Sequence, residues 1–153
     1  NMLDNMFPFW AAIISWAMAQ ALKPVIYYAF HKEWLPGLIL ASGGLPSSHT
    51  ATVASLTLAV GLREGFSSTL FAVSLAFSLI VAYDAANVRY YAGQNVQITQ
   101  QLIQDLREMG NLRLDDPIYF TKIKNVLGHK WNEVICGIAL GISVTYLLYM
   151  CLR

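Results

Sequence analysis

Residues 7–30, FPFWAAIISWAMAQALKPVIYYAF, hold one charged side chain, Lys23, in a stretch that is apolar, aromatic or small apart from Gln20. About 20 such residues cross the hydrocarbon core of a bilayer as a helix, so the run from Phe7 to Phe30 reads as a membrane span. Two further segments are long enough to cross: Ser67 to Tyr91 and Lys130 to Leu152. A fourth, Ser48 to Leu62, is near 15 residues; it spans in part or stays buried among the others. The whole chain is 56% hydrophobic and 12% charged, against about 25% charged for a soluble domain. The expectation is an all-α fold: a small polytopic membrane helical bundle of about four long apolar helices. At 153 residues it forms a single domain over 1–153.

Pro36-Gly37 and Gly43-Gly44 punctuate the first loop, and Gly61 and Gly65 bracket a tight second turn. The stretch 92–128 differs in its density of charge, with eight Lys, Arg, Asp and Glu residues. Ile98, Leu102, Leu106 and Met109 recur at helical spacing, with Gln97, Gln100, Gln101, Gln104, Asp105 and Arg107 between them. That pattern is an amphipathic helix. Asp116-Pro117 reads as a helix start, with Ile118, Ile123, Val126 and Leu127 as the apolar face of a second short helix. These amphipathic interfacial helices lie on lipid, cover a site, or serve as packed connectors. Ala17-Met18-Ala19 resembles a signal cleavage site, but no Lys or Arg precedes it, so the first segment is read as retained. Cys136 and Cys151 sit fifteen residues apart in one helix, about 22 Å, too far for a disulfide. A net charge of +1 gives nucleic acid no electrostatic footprint, and none is expected as a partner.

Three polar motifs stand at the ends of the apolar segments: Gly43-Gly44-Leu45-Pro46-Ser47-Ser48-His49-Thr50, Tyr83-Asp84-Ala85-Ala86-Asn87-Val88-Arg89 and Leu127-Gly128-His129-Lys130-Trp131-Asn132-Glu133. Antiparallel helices alternate direction. The end of the first, the start of the second, the end of the third and the start of the fourth therefore share one side. Lys23, Ser47, Ser48, His49, Asp84, Arg89, His129 and Glu133 occupy those four places. Eight of the ten Lys and Arg residues fall on that side and only Arg63 and Arg153 opposite, so the positive-inside rule puts the site on the cytoplasmic face.

Each motif carries chemistry. Pro46-Ser47-Ser48-His49 opens a helix, whose unpaired N–H groups and positive dipole end favour phosphate. Serine there caps the helix or donates to phosphate oxygens. His129 and Glu133 are four apart, on one helical face. A carboxylate accepting from one imidazole nitrogen fixes the tautomer and leaves the other free to attack. Asn132 is placed to join that network. Arg89 suits bidentate grip on phosphate. Asp84 has three readings: pairing with Lys23, orienting Arg89 or a histidine, or binding a metal. Lys23 either snorkels to the interface or contacts phosphate. His31 reads as a loop residue, and Tyr27, Tyr28, Trp34, Tyr90, Tyr91 and Trp131 as an interfacial aromatic belt.

These motifs, in this order, resemble the divergent branch of the phosphatidic-acid phosphatase type 2 superfamily, described as acid phosphatase/vanadium-dependent haloperoxidase-related. The resemblance covers almost the whole chain. It implies a phosphohistidine mechanism with His129 as nucleophile, Glu133 as its orienter and His49 as general acid. Lys23, Ser47, Ser48 and Arg89 would hold phosphate, with Asp84 and Asn132 in support. The superfamily's P-S-G-H glycine is Ser48 here and its aspartate is Glu133. Ile123 stands where an arginine precedes the nucleophile, and Phe30 where the lysine motif continues. The implied function is a membrane lipid phosphate phosphatase acting on a phosphomonoester or diphosphate of an isoprenoid or glycerolipid, with no cofactor required. Two alternatives remain. One is a non-catalytic membrane module binding a phospholipid or a partner. The other is a metal-dependent hydrolase whose divalent ion is held by His49, His129, Asp84 and Glu133. Four short helices also suit a homodimer.

Overall fold

The computed structural model describes residues 6–40, 44–108 and 131–152, side chains at 88–90 and 107 apart. Helix α1 runs Phe7–His31, a 3-10 turn Pro36–Leu40, α2 Ser48–Glu64 and α3 Thr69–Tyr83. A π turn over Asp84–Val88 then leads directly into α4, Arg89–Glu108, and α5 runs Trp131–Leu152. No strand occurs among the described residues. The all-α membrane bundle expected from the apolar runs is the fold observed. Three helices are long and apolar enough to cross a membrane: α1, the continuous α3–α4 helix and α5.

Helix α2 is the interior element. It packs against α1, α3 and α5, and α1 also packs against α5. Its 17 residues span about 25 Å, short of the roughly 30 Å hydrocarbon core, and nine of them are buried. The buried set alternates along the whole helix rather than forming a stripe, because neighbours surround it on three sides. Small residues allow close approach without a solvent-driven hydrophobic effect. On α5, Gly137 and Gly141 face α2 so closely that a Cβ would meet the Ser47 and Ala51 carbonyl oxygens.

Hydroxyls bind the helices to one another. Ser55 Oγ and Thr145 Oγ1 are 2.6 Å apart across α2 and α5. Thr57 Oγ1 bonds Ser78 Oγ on α3, and Ser78 Oγ donates to the Val53 carbonyl at 2.9 Å. Interhelical polar bonds in membranes average about 0.6 kcal/mol. Thr145 also donates to its own helix at the Gly141 carbonyl, 2.8 Å. Thr145→Val is therefore expected to lower stability by less than about 1 kcal/mol, read as a small fall in melting temperature in detergent. A fall as large as that of a core cavity would contradict this.

The third helix does not end at Tyr91, as its change of polarity suggests. Between Tyr83 and Glu108 the sequence contains no proline and one glycine, Gly93. A helical glycine costs about 1 kcal/mol, too little to break an established helix. The helix instead takes one wider π turn and continues. Together α3, the π turn and α4 cover 40 residues, about 60 Å and twice the core thickness, so α4 lies beyond the hydrocarbon. It is amphipathic, with Ile98, Leu102 and Leu106 on one face and Gln97, Gln101 and Gln104 on the other. Helix α3 itself buries none of its 15 residues and presents Leu70, Val73, Phe77 and Ile80 outward. The expected short helix after Pro117, and Met109, lie outside the described residues.

Helix ends follow local chemistry. α1 stops at Lys32, which takes φ 59° and donates its N–H to the Tyr28 carbonyl at 2.9 Å. His31 is the last residue of α1 rather than a loop residue; it stacks on Tyr27 at 4.2 Å, and its Nδ1–H donates to the Tyr27 carbonyl at 3.3 Å. Gly65, at φ 91°, closes α2 in a conformation that L side chains avoid. Cys136 and Cys151 are free thiols.

Candidate active site

The site is built where the start of α2 meets the start of α5. Ser47 caps α2: its Oγ accepts from Thr50 N–H at 3.4 Å. Its own N–H donates to the Glu133 carbonyl at 3.1 Å. Thr50 Oγ1 lies 3.3 Å from the Ser47 carbonyl and 3.2 Å from the Val134 carbonyl. Two chain segments more than eighty residues apart are thus joined through backbone groups. Pro46, Ser47, Ser48 and Thr50 are buried, so this junction is part of the core and not a surface loop.

The residues singled out in the sequence fall as follows. Ser47 is fully buried and acts as the helix cap; its hydroxyl proton remains available to donate. Ser48 opens the helix, also buried, and its carbonyl accepts from Thr52 Oγ1 at 2.7 Å. His49 is half-buried, with Nδ1 enclosed. Glu133 is half-buried in the first turn of α5, where a carboxylate complements the helix dipole. Asn132 beside it is exposed.

Lys23 comes from α1 and is 2% exposed. It is buried, not snorkelling. Asp84 begins the π turn, half-buried. It lines a groove of about 710 Å³ between α3 and α5, together with Tyr83, Trp131, Val134, Ile138 and neighbouring apolar side chains. Ala85 and Ala86 of the π turn pack on Val134, and that contact brings the second motif to α5. π turns concentrate at functional sites, and this one re-aims the helix at the position where Asp84 sits. Arg89 opens α4 immediately after it; its side chain lies outside the described set. His129 lies outside the described residues, two positions before the first residue of α5.

The structure therefore gathers Lys23, Ser47, Ser48, His49, Asp84 and Glu133 at one end of the bundle. The opposite end is marked by Phe7 and Tyr149, whose rings are 6.2 Å apart. Sequence reasoning missed Thr50, which ties α2 to α5, and Gly137, which lets them touch. Gly137 and Gly141 repeat at the four-residue spacing of close-packed membrane helices. For Thr50 no sequence signal existed, because both of its acceptors are backbone carbonyls.

A family model described as the divergent PAP2 family matches residues 4–144. The chain belongs to that family. A relative from Bacillus subtilis (strain 168), described as the uncharacterized membrane protein YuiD, is 34% identical over 153 residues. The match covers 97% of this chain and 96% of the relative. No solved structure matches. The resemblance read from the three motifs is thus a family membership, and with its three spans the protein is an integral, multi-pass membrane protein. Among the described residues, no three of His, Cys, Asp and Glu gather as metal ligands; the set considered from the sequence includes His129, outside them.

Proposed function

We propose that this divergent PAP2 family member is a membrane lipid phosphate phosphatase. Its substrate is a phosphomonoester or diphosphate of an isoprenoid or glycerolipid. The observation that carries the reading is the capped start of α2, which bears His49 and is held against Glu133 of α5 by the Ser47 N–H to Glu133 carbonyl bond. A helix N-terminus favours a phosphate group and the negative charge that builds on it during transfer.

In this mechanism an imidazole nitrogen of His129 attacks phosphorus. The P–O bond to the lipid breaks, and His49 gives its proton to the leaving oxygen. Glu133 accepts from the other His129 nitrogen and stabilises the imidazolium that forms. Water then attacks the phosphohistidine, His49 takes the water's proton, and the P–N bond breaks to release inorganic phosphate. Lys23, Ser47, Ser48 and Arg89 hold the phosphate oxygens, and Asp84 and Asn132 support them. The lipid's chains remain in the bilayer beside α3 and α5, whose outward faces are apolar. Charge asymmetry favours the cytoplasmic leaflet for the head group.

The test is phosphate release by purified protein in detergent from a diacylglycerol phosphate and a polyprenyl diphosphate, with and without chelator. Release that His129→Ala abolishes and chelator leaves intact is the expected result. Release abolished by chelator would replace this mechanism with a metal-assisted one. No release from any substrate, in protein that melts cooperatively, would leave a module that binds phospholipid without hydrolysing it.

A further inference from the structure

Helices α3 and α5 both pack on α2, and the π turn that ends α3 reaches α5 where Ala85 and Ala86 lie on Val134. On the membrane side of that contact is the groove of about 710 Å³, running from Asp84 to Leu79 on α3 and from Trp131 to Ile138 on α5. Its sides are Leu79, Ile80 and Ile135, which are 63%, 68% and 62% exposed, and at its base is Val134, at 1%. Ala82 and Ile138 are partly buried against that base. A helix face that only meets bulk lipid is convex; this surface is concave and apolar, the form of a ligand site.

The groove is continuous with the candidate active site. Val134 belongs to both. Its side chain is at the base of the groove, its carbonyl accepts from Thr50 Oγ1 at 3.2 Å in the junction, and it follows Glu133 directly. From Trp131 to Ile138 the groove is about 10 Å long, against roughly 15 Å for half of the hydrocarbon core. It therefore takes up about two-thirds of one leaflet, starting at the leaflet's rim. A partner's spanning helix is about 10–12 Å across and crosses the whole core, so a cleft two turns long does not seat one. A hydrocarbon chain fits the length, the apolar lining and the opening to the bilayer. Tethering decides which chain that is. Bulk lipid enters as a separate molecule, whereas a lipid held by its phosphate at the start of α2 offers its chain as an intramolecular ligand at high effective concentration.

We infer that the groove between α3 and α5 seats the first part of the hydrocarbon chain of the lipid whose phosphate is held at the start of α2, with Ala82 and Ile138 limiting how much chain it accepts. The identity of that occupant rests on the lipid-phosphate reading above; the groove's continuity with the junction does not.

Two measurements on the full-length protein in detergent test it. The first compares the lipid phosphate of the panel that is turned over faster with phenyl phosphate, which has no chain. Ala82→Phe fills the groove. It lowers kcat/KM on the lipid by about tenfold more than on phenyl phosphate, the low end of what a hydrophobic pocket discriminates, because the displaced chain returns to detergent and not to water. Val73→Phe adds a ring to the same helix at a position that is 62% exposed and outside the groove; it keeps the wild-type ratio. Equal losses on both substrates in Ala82→Phe, or an unchanged ratio, would overturn the inference. The second measurement needs neither turnover nor a variant. The probe is an alkyl phosphate carrying a diazirine about eight carbons along its chain, the reach of 10 Å at about 1.2 Å per bond. On illumination it labels 79–84 and 131–138, and excess unlabelled alkyl phosphate removes the label while the same excess of the matching alcohol does not. Labelling of Leu70, Val73 and Leu147 to the same extent, or competition by the alcohol as effective as by the phosphate, would show that the groove holds ordinary lipid and would end the proposal. Phosphate-dependent labelling of the groove in protein that releases no phosphate would uphold the chain site and remove only the hydrolysis.

Discussion

Replacing His49 with alanine is expected to lower phosphate release from a lipid phosphate by about 10²–10⁴-fold, the range of a lost general acid, with little change in melting temperature. The two halves of that expectation have separate causes. Stability at this end of α2 comes from Ser47, which caps the helix, and from Thr50, which ties it to α5. Neither bond uses the imidazole. The chemistry does use it: an alkoxide leaving a phosphorus centre is a poor leaving group until it is protonated. Nδ1 of His49 is the enclosed nitrogen, so the proton passes from Nε2. An aryl phosphate supplies a leaving group that needs no proton, and on that substrate the loss in His49→Ala should shrink to a small fraction of the loss on the lipid. Equal losses on both substrates would show that His49 binds phosphate and does not protonate the leaving oxygen. A large drop in melting temperature would show that it belongs to the scaffold.

The parts of this architecture that the sequence revealed are those encoded by composition over a full helix. Three spans were legible because long apolar runs carry one signal with little competition. The shared location of the polar motifs was legible because alternation of direction follows from short connections. The central place of α2 was not. Its serines and threonines make it the weakest span by hydropathy, yet those small hydroxyl residues are what allow a helix to be enclosed by three neighbours with its polar groups bonded to them. The π turn at Asp84 was hidden for a related reason. A change from apolar to polar residues marks where a helix leaves lipid, not where it ends, and nothing between Tyr83 and Glu108 is a strong breaker. The burial of Lys23 was not legible, because it depends on how α1 packs in the bundle and not on its neighbours in sequence. Ser47 and Glu133 are joined by backbone atoms on both sides, so no residue pattern could announce the link.

Gly137→Val is expected to have the largest effect on the scaffold and to remove the site with it. A Cβ at Gly137 would meet Thr50 Oγ1 and the Ser47 carbonyl oxygen, and one at Gly141 would meet the Ala51 carbonyl. In both cases the obstacle includes backbone, which cannot rotate away as the end of a side chain does. α5 must therefore shift from α2 along this whole seam. Overpacking of a well-packed core costs about 1–3 kcal/mol and at times more, and here several bonds go with it. Separating the helices also breaks Thr50 to Val134, 3.2 Å, and Ser47 to Glu133, 3.1 Å, the contacts that bring His49 and Glu133 to one space. Detergent-solubilised Gly137→Val should melt well below wild type, or be recovered in low yield, and show no phosphate release. Gly141→Val, one turn deeper, should lose comparable stability. In folded Gly141→Val protein the junction at Ser47 lies a full turn from the insult, so turnover should fall by less than in Gly137→Val. Gly37→Ala provides the contrast: no atom lies within 4 Å of a Cβ there, and it should match wild type in both measurements. Wild-type melting in Gly137→Val would mean that α2 and α5 do not approach this closely, and the reading of the site as the start of α2 locked against α5 would fall with that contact.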